Sequence, residues 1–128
     1  MMSQIILELI AVILLLHGLI HLMGFTAYWQ LAEIKELPYK TTLLNGRLHI
    51  GDAGMRVYGL VWLVMTAAFA VTAYGIVTHQ PWARPAALAT VLVSLLVTAL
   101  DWQVAYAGVV INLVLLLAFW FVPRLAGN

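Results

Sequence analysis

The chain contains no cysteine, which excludes structural disulfides, thiolate nucleophiles, zinc-thiolate sites and iron-sulfur clusters. Charge is nearly as scarce. Only 9% of the 128 residues are Asp, Glu, Lys or Arg, six basic against five acidic, for a formal net charge of +1. An ordinary soluble domain carries about 25% charged residues, and a protein that tracks phosphates needs a basic stripe. Neither is encoded, so nucleic acid is not an expected partner. Proline occurs four times, and all four fall in or beside the breaks between apolar runs.

What fills the space is apolar. Hydrophobic residues make up 65% of the chain and the mean hydropathy is +1.04, against roughly 45–50% apolar in soluble domains. The apolar residues come in runs close to the roughly 20 residues that a helix needs to cross a bilayer. The reading is an all-α, antiparallel up-down-up-down four-helix bundle, multi-pass in the cell membrane, with the lipid bilayer as its solvent. Spans are expected at 5–27, 53–77, 84–101 and 103–122, with a polar loop over 30–51, and 1–128 form one domain. The first run lacks the positively charged start of a secretory signal. After Met23-Gly24 it continues into aromatic residues rather than a small-residue cleavage site, so it reads as a retained span.

Local signals place the ends. Tyr28 and Trp29 are amphipathic rings suited to the membrane boundary, and Glu8 near the start of span 1 favours the helix's positive end. In the loop, Glu33, Lys35, Glu36 and Lys40 surround Leu31, Ile34 and Leu37, the pattern of a short helix lying on the surface, before the turn pair Asn45-Gly46. Asp52 is the expected N-cap of span 2. Pro81 and Pro85 open span 3 and Asp101 ends it. Span 4 follows almost without a loop and is closed by Pro123 and Arg124. Lysine and arginine fall on both sides of the membrane, so the positive-inside rule assigns no orientation.

Antiparallel threading gathers the polar residues in one half of the bundle. At about 1.5 Å per residue, His21 and His17 lie about 9 and 15 Å below the end of span 1, and Asn112 about 14 Å into span 4. By helical angle, His17, His21, Gly24 and Tyr28 form one stripe. Asp52, Arg56, Gly59, Thr66 and Ala70 form a second, and Thr90, Ser94, Thr98 and Asp101 a third. Polar groups in spans are costly and normally face inward, so a polar pocket open on the side of loop 30–51 is expected, built from His17, His21, Asp52, Arg56, Asp101 and Asn112.

Each feature also has a plainer reading. His17 and His21, four residues apart, place two imidazoles on one side as a divalent metal or haem site would, yet two histidines are an incomplete ligand set unless His49 or Asp52 folds back. A structural hydrogen-bonded pair, or a role with substrate or protons, stands beside that reading. Asp52 and Arg56 read equally as cap and local ion pair, Arg56 with Asp101 as an interhelical pair, and the hydroxyl stripe of span 3 as packing glue. Asn112 serves a ligand or a helix-helix hydrogen bond.

The segments HGLIHLMGF at 17–25, GDAGMRVYGLVWL at 51–63 and PWARPAALA at 81–89 resemble a group of small, largely uncharacterised four-span bacterial membrane proteins. In size and bundle layout the chain is also similar to the DoxX-type proteins, a family associated with membrane redox complexes. These resemblances imply a redox-accessory setting and bring over no catalytic residue. The leading expectation is a small-molecule binding or redox-accessory membrane protein whose pocket holds an amphipathic molecule such as a quinone. The alternatives are a metal or haem protein through His17 and His21, and a structural subunit that pairs with a second copy or a membrane complex.

Overall fold

The computed structural model describes residues 2–125, with side chains placed from 4 to 121. It is a four-helix all-α bundle: α1 (Met2–Tyr28), α2 (Gly51–Val77), α3 (Ala83–Leu100) and α4 (Trp102–Leu125), with two short strands, β1 (Thr42–Leu43) and β2 (Leu48–His49), between α1 and α2. All four helices are long and apolar enough to cross a membrane. Their outer surfaces fit that environment, because Leu9, Leu16, Val57, Val64, Leu96 and Leu117 are 55–64% exposed. An apolar belt of this kind marks an interaction surface in water, whereas in lipid it needs no cover.

Each helix packs on its neighbour in sequence and α1 also meets α4. The tightest seam is α1 against α2, where glycines admit aromatic rings to the backbone. A Cβ on Gly24 would stand 2.2 Å from Trp62 Cδ2, and one on Gly18 2.7 Å from Phe69 Cβ. Small residues at a helix interface allow such close approach. Here they let Trp62 and Phe69 lie directly beside the histidines of α1.

The buried face of α2 is not the stripe expected from its polar residues. Met55, Tyr58, Gly59, Trp62, Met65 and Phe69 are buried, whereas Asp52, Arg56 and Ala70 are exposed and Thr66 is half-buried. The large apolar and aromatic side chains recur every three or four residues and claim the interior. Polar groups in the first two turns keep their hydration by facing out. Asp52 is likewise not the N-cap. That position is Ile50, with no side-chain cap, and Asp52 sits in the first turn, where a carboxylate still favours the positive helix end.

The connection between α1 and α2 also departs from expectation. In place of a surface helix it forms an isolated bridge between Ile34 and Leu37 and a hairpin that pairs Thr42 with His49 and Leu43 with Leu48. The amphipathic stretch before Pro38 is too short to repay helix nucleation. Leu44, Asn45 and Gly46 turn the hairpin with φ of 52°, 59° and 80°. The Leu44 N–H donates to the Leu100 carbonyl at 2.9 Å and Leu43 is buried, so the loop is fastened to the end of α3.

Both α1 and α2 end in the same left-handed turn. Leu31 N–H donates to the Thr26 carbonyl, and Gln80 N–H to the Gly75 carbonyl, both at 2.9 Å. Gln30 and His79 hold the left-handed positions at φ 53° and 56°, where glycine is the residue without a steric penalty. The substitution His79→Gly is therefore expected to stabilise the protein by roughly 0.5–1 kcal/mol. Thermal unfolding in detergent checks this, and an unchanged or lowered midpoint would contradict it.

Only Asp101 separates α3 from α4, and α4 carries a non-helical residue near its start, Ala105 at φ −111°, ψ 20°. The helix runs on to Leu125 rather than closing at Pro123 and Arg124, whose side chains lie outside the described residues. Pro123 has no N–H to give the carbonyl four residues earlier, that of Phe119. This carbonyl accepts from Arg84 Nη2 at 3.0 Å, so the start of α3 supplies the hydrogen bond that proline withholds from α4.

Candidate functional site

Three of the six expected site residues come together in the interior. His17 and His21 on α1 and Asn112 on α4 are each no more than 2% exposed, and Ser94 and Thr98 on α3 are buried with them. His17 Nε2 lies 3.1 Å from Asn112 Oδ1. Asn112 Nδ2 donates to Ser94 Oγ at 3.0 Å and to Thr98 Oγ1 at 3.3 Å. Ser94 Oγ lies 2.9 Å from His21 Nε2, and His21 Nδ1 lies 2.9 Å from the His17 carbonyl.

The partners assign the protons. A carbonyl only accepts, so His21 carries its hydrogen on Nδ1, and its Nε2 accepts from the Ser94 hydroxyl. Asn112 gives both amide hydrogens to α3, so its oxygen accepts from Nε2–H of His17. The Thr98 hydroxyl donates back to the Ser94 carbonyl at 2.9 Å. The two histidines are thus opposite tautomers, and one ring atom is left over. His17 Nδ1 is buried and has no hydrogen-bond partner, which leaves it a bare lone pair.

Aromatic rings enclose the pair. The imidazoles meet edge to face at 4.8 Å between centroids, Phe69 lies 5.1 Å from His17, and Trp62 5.0 Å from His21. The Trp62 indole N–H is near the Tyr58 hydroxyl without meeting hydrogen-bond geometry. The Tyr58 hydroxyl itself donates to the Val97 carbonyl at 2.6 Å.

A cavity of about 110 Å³ adjoins the network, and its walls include His17, His21, Trp62, Thr98 and Gly108, with Glu36 and Leu37 of the loop beside them. It occupies the seam between α1 and α4, which touch more sparsely than any other neighbouring pair. Ile20, Met23, Val104 and Ala107 line the seam. The kink at Ala105 sits in the same wall. A wider basin of about 690 Å³ lies on the loop between Gln30 and Tyr39, lined by residues of the loop itself and Ala27.

The other expected residues stand apart from this network. Asp101 is buried, but its partners are Lys40, with Nζ 2.6 Å from Oδ1, and the Tyr28 hydroxyl, which donates to Oδ2. Lys40 Nζ also lies 5.1 Å from the Tyr28 ring centroid and donates to its hydroxyl oxygen at 3.1 Å. This cluster ties the loop to the ends of α1 and α3. Arg56 pairs with neither Asp52 nor Asp101 among the described residues; it lies over the Trp29 ring at 5.3 Å, while Trp29 Nε1 donates to its carbonyl at 2.8 Å. Asp52 accepts from the Tyr39 hydroxyl, which holds that phenol above its ordinary range. Glu8 is exposed and accepts from Gln4.

The geometry does not favour a metal. Among the described residues no group of three or more His, Asp or Glu side chains is placed to hold an ion, and His49 is exposed on β2. Both nitrogens of His21 are engaged, which leaves a single free imidazole nitrogen where a ligand set needs several.

Sequence reasoning missed Lys40, Trp62 and Phe69. Gly24 on the histidine stripe and Gly18 next to His17 in the chain were the available signal for the two rings, since a buried glycine asks what covers it. No comparable signal marked Lys40. The chain is thus a membrane-spanning four-helix bundle with a buried histidine-amide network. Compared with known protein families, curated proteins and solved structures, it matches none.

Proposed function

We propose that this protein binds a small amphipathic molecule, of the quinone and quinol class in its size and shape, in the seam between α1 and α4. The observation that carries the reading is the buried, unpartnered Nδ1 of His17, a residue that lines the 110 Å³ cavity. A buried polar atom without a partner costs roughly 1–3 kcal/mol, and among the described side chains His17 Nδ1 shares that state with the Trp62 indole N–H alone. A site of this kind accepts the polar end of a ligand, and the apolar seam beside it suits a ring or tail arriving from lipid. The cavity is small beside the roughly 300–1,000 Å³ of sites that swallow a whole drug-sized ligand, so only the leading edge of a ring enters.

The same reading places the protein in the cell membrane, as an accessory that holds the molecule near a redox complex or a second copy of itself. That part rests on the DoxX-type likeness in size and layout. The test is mass spectrometry of protein purified from its membrane in mild detergent. A co-purifying amphipathic molecule is expected, and Ala107→Phe, which plugs the seam without touching the hydrogen-bond network, is expected to lose it. Protein that carries nothing, or a plugged variant that retains the molecule, would contradict the reading.

A further inference from the structure

We infer that the site selects uncharged ligands that present a hydroxyl hydrogen, such as a phenol, a quinol or an alcohol, over carbonyl or ether analogues of the same shape. The inference rests on the binding reading above and adds what the ligand must donate.

Its basis is the direction of every hydrogen bond around the cavity. His21 has its Nδ1–H on the His17 carbonyl and its Nε2 beside the Ser94 hydroxyl. Thr98 accepts from Asn112 and donates to the Ser94 carbonyl. His17 has given its one hydrogen to Asn112. The Trp62 indole N–H also lacks a partner and lies near the Tyr58 hydroxyl; what remains besides is the His17 Nδ1 lone pair. A carbonyl or ether oxygen brought to it would set lone pair against lone pair and leave it unsatisfied, whereas a hydroxyl hydrogen completes it. Such selection is strong because the penalty falls on the site's own buried group.

Charge and size narrow the class further. Of the residues that line the cavity, Glu36 alone carries a charge and none is a lysine or arginine; Lys40, three positions beyond Leu37, is committed to Asp101. An anionic headgroup would therefore stand beside a carboxylate with no lysine or arginine in the cavity lining to meet it. An apolar cavity of about 150 Å³ takes a benzene. A cavity of about 110 Å³ therefore admits a hydroxyl and the near edge of its ring, with the remainder lying between Ile20 and Ala107.

The test is a calorimetric titration of the purified protein in nanodiscs with a short-tailed 4-alkylphenol and, separately, its methyl ether. The two share shape and apolar area and differ in the hydroxyl hydrogen. The phenol is expected to bind at least tenfold more tightly. Equal affinities would overturn the donor requirement and leave the binding reading standing. If neither binds while circular dichroism shows the helices intact, both fail.

Discussion

Replacing Lys40 with methionine is expected to destabilise the protein by about 3–5 kcal/mol, the cost of removing one partner from a buried ion pair. Asp101 has a side-chain exposure of 2% and its ammonium partner stands 2.6 Å away. With Lys40→Met, the carboxylate keeps the Tyr28 hydroxyl alone. The reverse change is milder. The Lys40 side chain is 28% exposed, so after Asp101→Asn it can extend its flexible stem to water. The double variant Lys40→Met with Asp101→Asn should therefore recover most of the loss from Lys40→Met alone. Reversible unfolding in mixed micelles measures all three. A Lys40→Met protein as stable as the parent, or a double variant no better than the single, would show that the pair does not hold the loop to the bundle.

The second large effect is expected at Asn112. Its side chain joins His17 on α1 to Ser94 and Thr98 on α3. Interhelical hydrogen bonds in membranes contribute roughly 0.6 kcal/mol on average and about 1.7 at most. Asn112→Leu removes three of them while keeping the volume, so a loss of about 2–4 kcal/mol is expected. Asn112→Asp separates the roles, since a carboxylate still accepts from His17 but has no hydrogens for Ser94 and Thr98. It should fall between Leu and the parent. A leucine variant with unchanged stability would mean that the network rearranges to satisfy itself without the amide.

The spans were legible because hydropathy and length act locally. A bilayer demands runs of fixed length, and these runs stand out against nine per cent charge. The convergence of His17, His21 and Asn112 was legible for a related reason, since polar groups deep in a span have nowhere to go but inward. The same rule failed at Asp52 and Arg56, where a helix end is close enough to water for either direction to be available. There the competition with Tyr58, Trp62 and Phe69 decides which face turns in. The loop was least legible. Lys40 reaches Asp101, 61 positions further along the chain, a pairing set by tertiary placement that no local pattern encodes. The hairpin follows from Asn45-Gly46 once Pro38 has ended any helix before it, yet its anchoring to the Leu100 carbonyl depends on where α3 stops.

The ligand reading and the donor requirement both follow from the proton arrangement around His17, whose Nδ1 is a free lone pair. Nitrogen NMR of histidine-labelled protein in bilayers, with His17 and His21 assigned by substitution, reads each ring directly. The expected result is opposite tautomers: His17 protonated on Nε2 with Nδ1 bare, and His21 protonated on Nδ1 with Nε2 accepting a hydrogen bond. A His17 ring carrying its hydrogen on Nδ1, or two rings of the same tautomer, would contradict it.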